Sequence, residues 1–181
     1  MKKTLLILTL VLGLISFNDA SAQDNEIGIR AGWNTSGTFA SGNQIEKNIP
    51  NFYAGIFHNK KIAPTLALHT GLEYLQNGWK SDDDNYRRVH TLSGPIGLRV
   101  KLGPLFAIGG AAINLNLSEQ NEGDFAKDTP KNDAFDLPLF ACLGVKIAIV
   151  TIEARYNWGM IETNDLGYKN QYFQIGAGIS L

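Results

Sequence analysis

The stretch TIEARYNWGM, residues 151–160, alternates apolar and polar side chains along its length. In a β-strand, residues two apart share a face, so Glu153 and Arg155 lie on one side and Ile152 and Trp158 on the other. A charged side that meets bulk water indicates a soluble protein, whereas a charged side enclosed in a lumen indicates a membrane barrel. The direction in which these two charges point therefore decides the class of protein.

The same period-2 alternation recurs through the chain, and helical periodicity is almost absent. One face of nearly every segment is free of charge; His58, Arg88 and His90 are the clearest exceptions, all near strand ends. The predicted strands lie near residues 26–34, 51–59, 65–77, 87–101, 105–117, 134–146, 150–161 and 171–181. The pattern predicts an all-β fold of eight antiparallel strands.

The first 22 residues have the three parts of a secretory signal peptide. Lys2 and Lys3 precede an uncharged apolar run, residues 5–17, and residues 20–22 read Ala-Ser-Ala, a cleavage pattern. The alternative is a retained anchor, but the run is short for a membrane-spanning helix. We therefore predict a signal peptide, 1–22, an exported barrel domain, 23–181, and no lipoprotein anchor, because no Cys stands at the cleavage site.

Composition excludes several classes of function. Without Lys2, Lys3 and Asp19 the chain keeps 14 basic and 16 acidic residues, a net charge of −2, so nothing indicates binding to nucleic acid. Cys142 is the only cysteine, which excludes an internal disulfide and a multi-cysteine zinc site. We expect no cofactor and no metal.

The connections between the predicted strands alternate in length. KIAPT (61–65), LGP (102–104) and a turn around Ala148 are short, whereas residues 35–49 and 118–133 form long polar connections. Short turns at one end and long loops at the other are typical of an up-and-down outer-membrane barrel, whose short turns are periplasmic. Both chain termini fall at the short-turn end, as an even number of strands requires.

Two architectures fit one apolar face: a soluble periplasmic barrel that binds an apolar ligand inside, and a membrane barrel with lipid outside. The polar face is rich in glycine and carries few charges, which favours a narrow lumen in which opposite charges pair. The predicted lumenal network is Arg30, Glu73, Arg99, Lys101, Glu153 and Arg155. Closure of the last strand on the first also favours lipid outside, because hydrocarbon satisfies no free strand edge.

Aromatic residues collect on the apolar face near the long-loop end, as in an interfacial girdle. The predicted girdle is Trp33, Phe52, Tyr74, Phe135, Trp158 and Phe173. The alternative is that these side chains plug one end of a soluble core. Inside an eight-stranded barrel there is room only for side chains, so we predict a lumen filled by Tyr53, Phe57, Phe106, Ile108, Phe140 and the charges, with no open channel.

Five motifs carry a family resemblance: GIRAGWN (28–34), FYAGIF (52–57), GLEY (71–74), IEARYNWG (152–159) and YFQIGAGISL (172–181). Together they resemble the PorT-like outer-membrane β-barrel domain over the whole exported chain. The resemblance implies a small eight-stranded barrel of a Gram-negative outer membrane, comparable in architecture to OmpA and OmpX, with a family link to protein secretion. It implies outer-membrane lipid and the barrel assembly machinery as partners, and leaves a further envelope partner open. The chain ends in Leu181, whereas many such barrels end in an aromatic residue.

Catalysis is the remaining alternative, because some barrels of this size modify lipid A. A hydrolytic site needs a nucleophile, a base and an orienting group within hydrogen-bond reach. Local spacing brings no such set to His58, His69 or His90, and the acidic run SDDDNYRR (81–88) lacks the spaced ligands and turn glycine of a cation loop. Cys142 falls on the lumenal face and is expected to behave as a small buried hydrophobe. We therefore predict no catalytic residues and a role in loop presentation or envelope structure.

Overall fold

The computed structural model of the protein describes residues 25–40, 43–44, 47–82, 85–122, 135–160 and 169–181. The strands are β1 (Asn25–Ala40), β2 (Asn43–Gln44), β3 (Lys47–Ala63), β4 (Leu66–Asp82), β5 (Asn85–Leu102), β6 (Leu105–Glu122), β7 (Phe135–Asp136), β8 (Pro138–Ile147), β9 (Val150–Gly159) and β10 (Lys169–Ser180). Within these ranges, no helix is long and apolar enough to span a membrane. The predicted signal peptide lies outside the described residues.

The strands form one closed antiparallel barrel. Its order is β10-β9-β8-β6-β5-β4-β3-β1, and β10 returns to pair with β1 from Gly28–Ser180 to Phe39–Lys169. The short β7 and β8 both pair with β6 and act as one barrel strand, interrupted just before Pro138, whose nitrogen has no proton to donate to the ladder. The predicted all-β, eight-stranded up-and-down barrel is confirmed.

Three two-residue turns close one end of the barrel. Pro64 and Thr65 join β3 to β4, Gly103 and Pro104 join β5 to β6, and residues 148–149 join β8 to β9. Gly103 has a φ of 65°, which a residue without a Cβ adopts without steric cost. Both ends of the described chain lie at this side of the barrel, where the Leu181 amide donates to the Ile27 carbonyl at 2.7 Å. We call this side the short-turn end.

At the opposite end the strands run further than the sequence predicts. The predicted ends of three strands at residues 34, 77 and 117 are wrong, because the strands continue to Ala40, Asp82 and Glu122. The alternation of apolar and polar residues marks only the part of a strand that has an apolar face, whereas backbone pairing continues between polar residues. Thr38 of β1, for example, pairs in register with Asn170 of β10, and Lys80 of β4 pairs with Lys47 of β3. Residues 35–49 and 78–86, predicted as loops, are therefore largely paired strand; parts of them, and residues 123–134, lie outside the described residues.

The apolar face of the barrel points outward. Along β5, Ile96, Leu98 and Val100 are exposed, whereas the alternate residues Ser93 and Arg99 are buried inside. The eleven residues from Leu92 to Leu102 span ten steps, or about 34 Å of strand, and with a tilt of about 40° they span about 26 Å along the barrel axis. That height matches the apolar band of about 25 Å that outer-membrane barrels present to lipid.

Candidate functional site

Four charged side chains meet in the middle of the lumen, supplied by three strands. Glu73 on β4 contacts Arg30 on β1 and accepts from Arg155 Nη1 on β9 at 3.1 and 3.2 Å. Glu153 contacts Arg30 Nη1 at 3.2 Å and Arg155 Nη2 at 3.6 Å. These side chains are at most 7 % exposed. Each cation therefore touches both carboxylates, and the group, which we call the central quartet, carries no net charge.

A second group of charges lies nearer the short-turn end, around Glu26. Its carboxylate lies 3.3 Å from Arg99 Nη1, 3.3 Å from Lys101 Nζ and 2.9 Å from Lys146 Nζ. Ser180 also donates to it at 2.7 Å. The six residues predicted to form one network are thus divided, with Arg99 and Lys101 in this second group.

Sequence reasoning missed Glu26 and left Lys146 out of the network. A signal was available, because Glu26 has the same strand parity as Gly28 and Arg30 and so faces the lumen. It stands at the first position of the predicted strand, where membership of a face is hardest to assign.

Aromatic and aliphatic side chains fill the lumen around the charges. Tyr53, Phe57, Phe106, Ile108 and Phe140 are all buried inside the barrel. The Arg99 guanidinium lies 4.0 Å from the centroid of the Phe106 ring, and that of Arg155 lies 4.9 Å from the centroid of Phe140. Such cation–π contacts stabilise a cation that has left bulk water.

Glycines on neighbouring strands make room for these rings. A Cβ at Gly144 would overlap the ring of Phe106, its register partner, and a Cβ at Gly28 would overlap the ring of Phe57, its own partner. A void of about 10 Å³ remains between these groups, which is room for about one water molecule. At the level of the charges, the described side chains therefore fill the lumen.

Amide side chains occupy the lumen on the long-loop side of the central quartet. Asn34 donates to the Asn77 side chain at 2.7 Å, and Asn157 donates to Gln174 at 3.1 Å. Asn114 donates to the Tyr172 hydroxyl at 3.2 Å. Neutral amide side chains thus form a layer on this side of the quartet, beside the buried carboxyl group of Asp136, the register partner of Asn114.

The aromatic residues predicted to form a girdle lie on the outer face toward the long-loop end. Trp33 is 70 % exposed and pairs in register with Phe52, and the Phe52 ring lies 5.9 Å from the ring of Tyr74. Phe135, Trp158 and Phe173 are also exposed to the outside.

The three histidines lie in different surroundings, and His58 and His69, although on neighbouring strands, lie on opposite faces. His69 is buried in the lumen, stacked on Phe57 and 2.6 Å from the Asn59 side-chain oxygen. His90 is hydrogen-bonded to the Tyr74 hydroxyl on the outer face. His58 is half-buried near the short-turn end.

Other candidate groups are also accounted for. The Cys142 thiol is buried, 3.9 Å from Glu153 Oε2. Among the described residues, no three His, Cys, Asp or Glu side chains are grouped to hold a metal ion. The acidic run 81–88 lies partly outside the described residues.

A closed barrel with its charges inside, an apolar band outside and aromatic residues at one border of that band defines an integral outer-membrane β-barrel protein. The match of residues 21–165 to the family model shows that the chain belongs to the outer membrane protein beta-barrel domain family. The soluble-barrel alternative is thereby set aside. No curated protein matches the chain.

Solved structures share the fold at low sequence identity. Ail, the attachment invasion locus protein of Yersinia pestis, is 15 % identical, with 88 % of this chain and 100 % of Ail covered and a TM-score of 0.54. Neisserial surface protein A is 14 % identical, with 86 % and 97 % covered and a TM-score of 0.55. OprG from Pseudomonas aeruginosa is 12 % identical, with 87 % and 96 % covered and a TM-score of 0.51. At these identities the likeness is one of fold.

Proposed function

We propose that this protein is a non-enzymatic outer-membrane barrel that holds its long strands and loops toward the outside of the cell. The observation that carries the proposal is the outer ribbon, residues 75–82, 85–91 and 116–122 of β4, β5 and β6. From Tyr74 in the girdle to Asp82, β4 runs about 27 Å further, or about 21 Å along the axis at a tilt of about 40°. A membrane of the thickness of the apolar band leaves this ribbon in water.

The outer ribbon is a built structure and not a frayed strand end. β4 and β5 pair from Leu75–Thr91 to Asp82–Asn85, and β5 continues to pair with β6 as far as Glu122. Arg87 forms an ion pair with Glu119 across it. By contrast β9 ends at Gly159, one residue beyond the girdle residue Trp158.

The filled lumen supports a role in which the barrel presents its outer strands and loops, and not one in which solutes pass through the lumen. A pore would need a continuous aqueous path past the central quartet, where aromatic rings pack against the guanidinium groups. We therefore expect the purified protein to give no steady conductance in a planar lipid bilayer, and a stable open channel would contradict this part of the proposal.

The position of His90 supports a non-enzymatic role. It lies on the outer face, whereas the neighbouring hydroxyls of Thr91 and Ser93 are buried on the lumenal side of the same strand. On the outer face the register partner of His90 is Ser118 of β6, but the hydrogen bond of the imidazole goes to the Tyr74 hydroxyl, and its Nε2 has no hydrogen-bond partner among the described residues. The mass spectrum of lipid A is expected to be the same in cells that carry the wild-type protein and in cells that carry His90→Ala. Loss of a lipid A modification in the variant would instead support an enzymatic function.

The finer assignment to the PorT-like family is part of the proposal and rests on the five motifs given above. It carries with it export through the signal peptide, insertion by the barrel assembly machinery, and a role in the envelope or in protein secretion. A deletion strain separates the last two, because a secretion role predicts loss of proteins from the culture medium and an envelope role predicts detergent sensitivity with normal secretion.

Cysteine labelling of intact cells tests the orientation. In a Cys142→Ala background, Asp82→Cys places a thiol at the tip of the outer ribbon and Thr65→Cys places a matched thiol in an exposed short turn. A membrane-impermeant maleimide is expected to label the first in intact cells and the second only after the outer membrane is permeabilised. The reverse pattern would overturn the proposal.

A further inference from the structure

A basic cleft opens at the short-turn end, outside the central quartet. It has a volume of about 240 Å³ and lies between the β5–β6 turn and the end of β8. Its charged lining side chains are Arg99, Lys101 and Lys146, and Leu105 forms its outer border.

The described side chains leave this cleft with surplus positive charge. The three cations share the single carboxylate of Glu26, so the group carries a net charge of +2. Both lysine side chains keep access to solvent, at 43 % for Lys101 and 26 % for Lys146. The central quartet differs in being neutral and enclosed.

The outer border of the cleft is strongly apolar. Leu102 and Leu105 flank the β5–β6 turn, Ile147 ends β8, and Ile149 lies in the β8–β9 turn. These four side chains are 58–69 % exposed. A ligand that suits both surfaces has an anionic head and apolar chains.

We propose that the basic cleft binds the phosphate group of an anionic phospholipid, whose acyl chains lie against Leu102 and Leu105. The phosphate oxygens accept hydrogen bonds from the two ammonium groups and from Arg99, and the negative charge offsets part of the surplus. This inference rests on the proposed orientation, which puts the short-turn end in the periplasmic leaflet. A free phosphate ester offers the same head group without the chains.

Native mass spectrometry of the purified, folded protein measures the binding directly. Wild type released from detergent is titrated with phosphatidylglycerol and, separately, with zwitterionic phosphatidylcholine. One lysine near an anionic lipid surface contributes enough binding energy that Lys146→Gln is expected to weaken phosphatidylglycerol binding about fivefold. Lys60→Gln removes the same charge from β3 at the same end but outside the cleft, and is expected to leave binding within about twofold of wild type.

Glu26→Gln gives a change of opposite sign. It raises the surplus charge of the cleft and is expected to tighten phosphatidylglycerol binding, an effect that loss of folding cannot imitate. Heat-modifiable migration on gels confirms that each variant is folded.

The outcomes separate the sources of the phosphate. Retention of phosphatidylglycerol over phosphatidylcholine, with no displacement by millimolar glycerol phosphate, supports a lipid site. Displacement by glycerol phosphate at equal concentration would overturn the lipid as the ligand. Equal binding by wild type, Lys146→Gln and Lys60→Gln would overturn the cleft itself. Because the protein is purified, none of these results depends on which side of the membrane the outer ribbon faces, and the labelling experiment tests that separately.

Discussion

Removal of one carboxylate from the central quartet is expected to destabilise the whole barrel. Glu73 is the best target, because it is buried and accepts from Arg155 Nη1 at 3.1 and 3.2 Å while also contacting Arg30. Glu73→Gln keeps the shape of the side chain and leaves two buried guanidinium groups facing one carboxylate, that of Glu153.

The magnitude follows from the geometry. Two unit charges about 4 Å apart interact with about 4 kcal/mol at an effective dielectric constant of about 20. Glu73→Gln removes two such attractions and one repulsion, from Glu153, so the net loss is about 4 kcal/mol. This agrees with the roughly 3–5 kcal/mol found when one partner of a buried ion pair is removed.

Urea unfolding in detergent micelles, followed by tryptophan fluorescence and by heat-modifiable migration, measures the free energy of unfolding. Lys60→Gln is the control and is expected to cost less than about 0.5 kcal/mol. The double variant Arg30→Gln/Glu73→Gln restores a neutral pair, Arg155 with Glu153, and is expected to be more stable than the sum of the single effects by about 1–3 kcal/mol. A cost below about 1 kcal/mol for Glu73→Gln, or strictly additive single effects, would refute the reasoning.

Three further substitutions probe the outer face, the lumenal packing and the buried thiol. Leu98→Arg places a charge on the lipid side of β5 and is expected to cost about 2–4 kcal/mol in lipid vesicles; stability equal to wild type would contradict the orientation of the faces. Gly144→Ala forces a methyl group into the Phe106 ring and is expected to cost about 1–3 kcal/mol by the same urea titration, whereas Gly109→Ala, which meets open space, is expected to cost nothing. Cys142 is expected to react with a maleimide only in urea, so rapid labelling of the folded protein would show that the lumen is open.

The architecture could be predicted from the sequence because each strand repeats one simple rule. Parity alone puts Glu153 and Arg155 on the face opposite Ile152, and lipid outside requires that face to be the inner one. The short turns can also be predicted from the sequence. Pro64, Pro104 and their neighbours interrupt the alternation of apolar and polar residues within a residue or two of the strand ends.

The pairing inside the lumen could not be predicted in the same way. Arg30 lies 43 residues from Glu73 and 123 from Glu153, and which of them it meets depends on the tilt and stagger of the closed barrel. Alternation gives the face of a residue but not its height along the axis. For this reason the sequence predicts Arg99 and Lys101 in one network with the central quartet, although they pair with Glu26 nearer the short-turn end.

The sequence pattern predicts strands that are too short for a related reason. Hydrophobic alternation reports the contact of a strand with lipid, and it ends where the lipid ends. The outer ribbon has no such requirement, since its polar residues pair through their backbone and through cross-strand contacts such as that of Arg87 with Glu119. The part of a strand that lies outside the membrane therefore has the sequence pattern of a loop.

The distribution of charge indicates which surfaces of the barrel could bind other molecules. In the central quartet, the four charges are enclosed and sum to zero, so an added ion or ligand would have to break existing ion pairs and expel packed rings. At the short-turn end, three cations share one carboxylate and two of them reach solvent. At the other end, the outer ribbon stands clear of the apolar band. The middle of the lumen thus has a structural part, to hold eight strands at fixed positions, and the surfaces free to bind other molecules are the two rims.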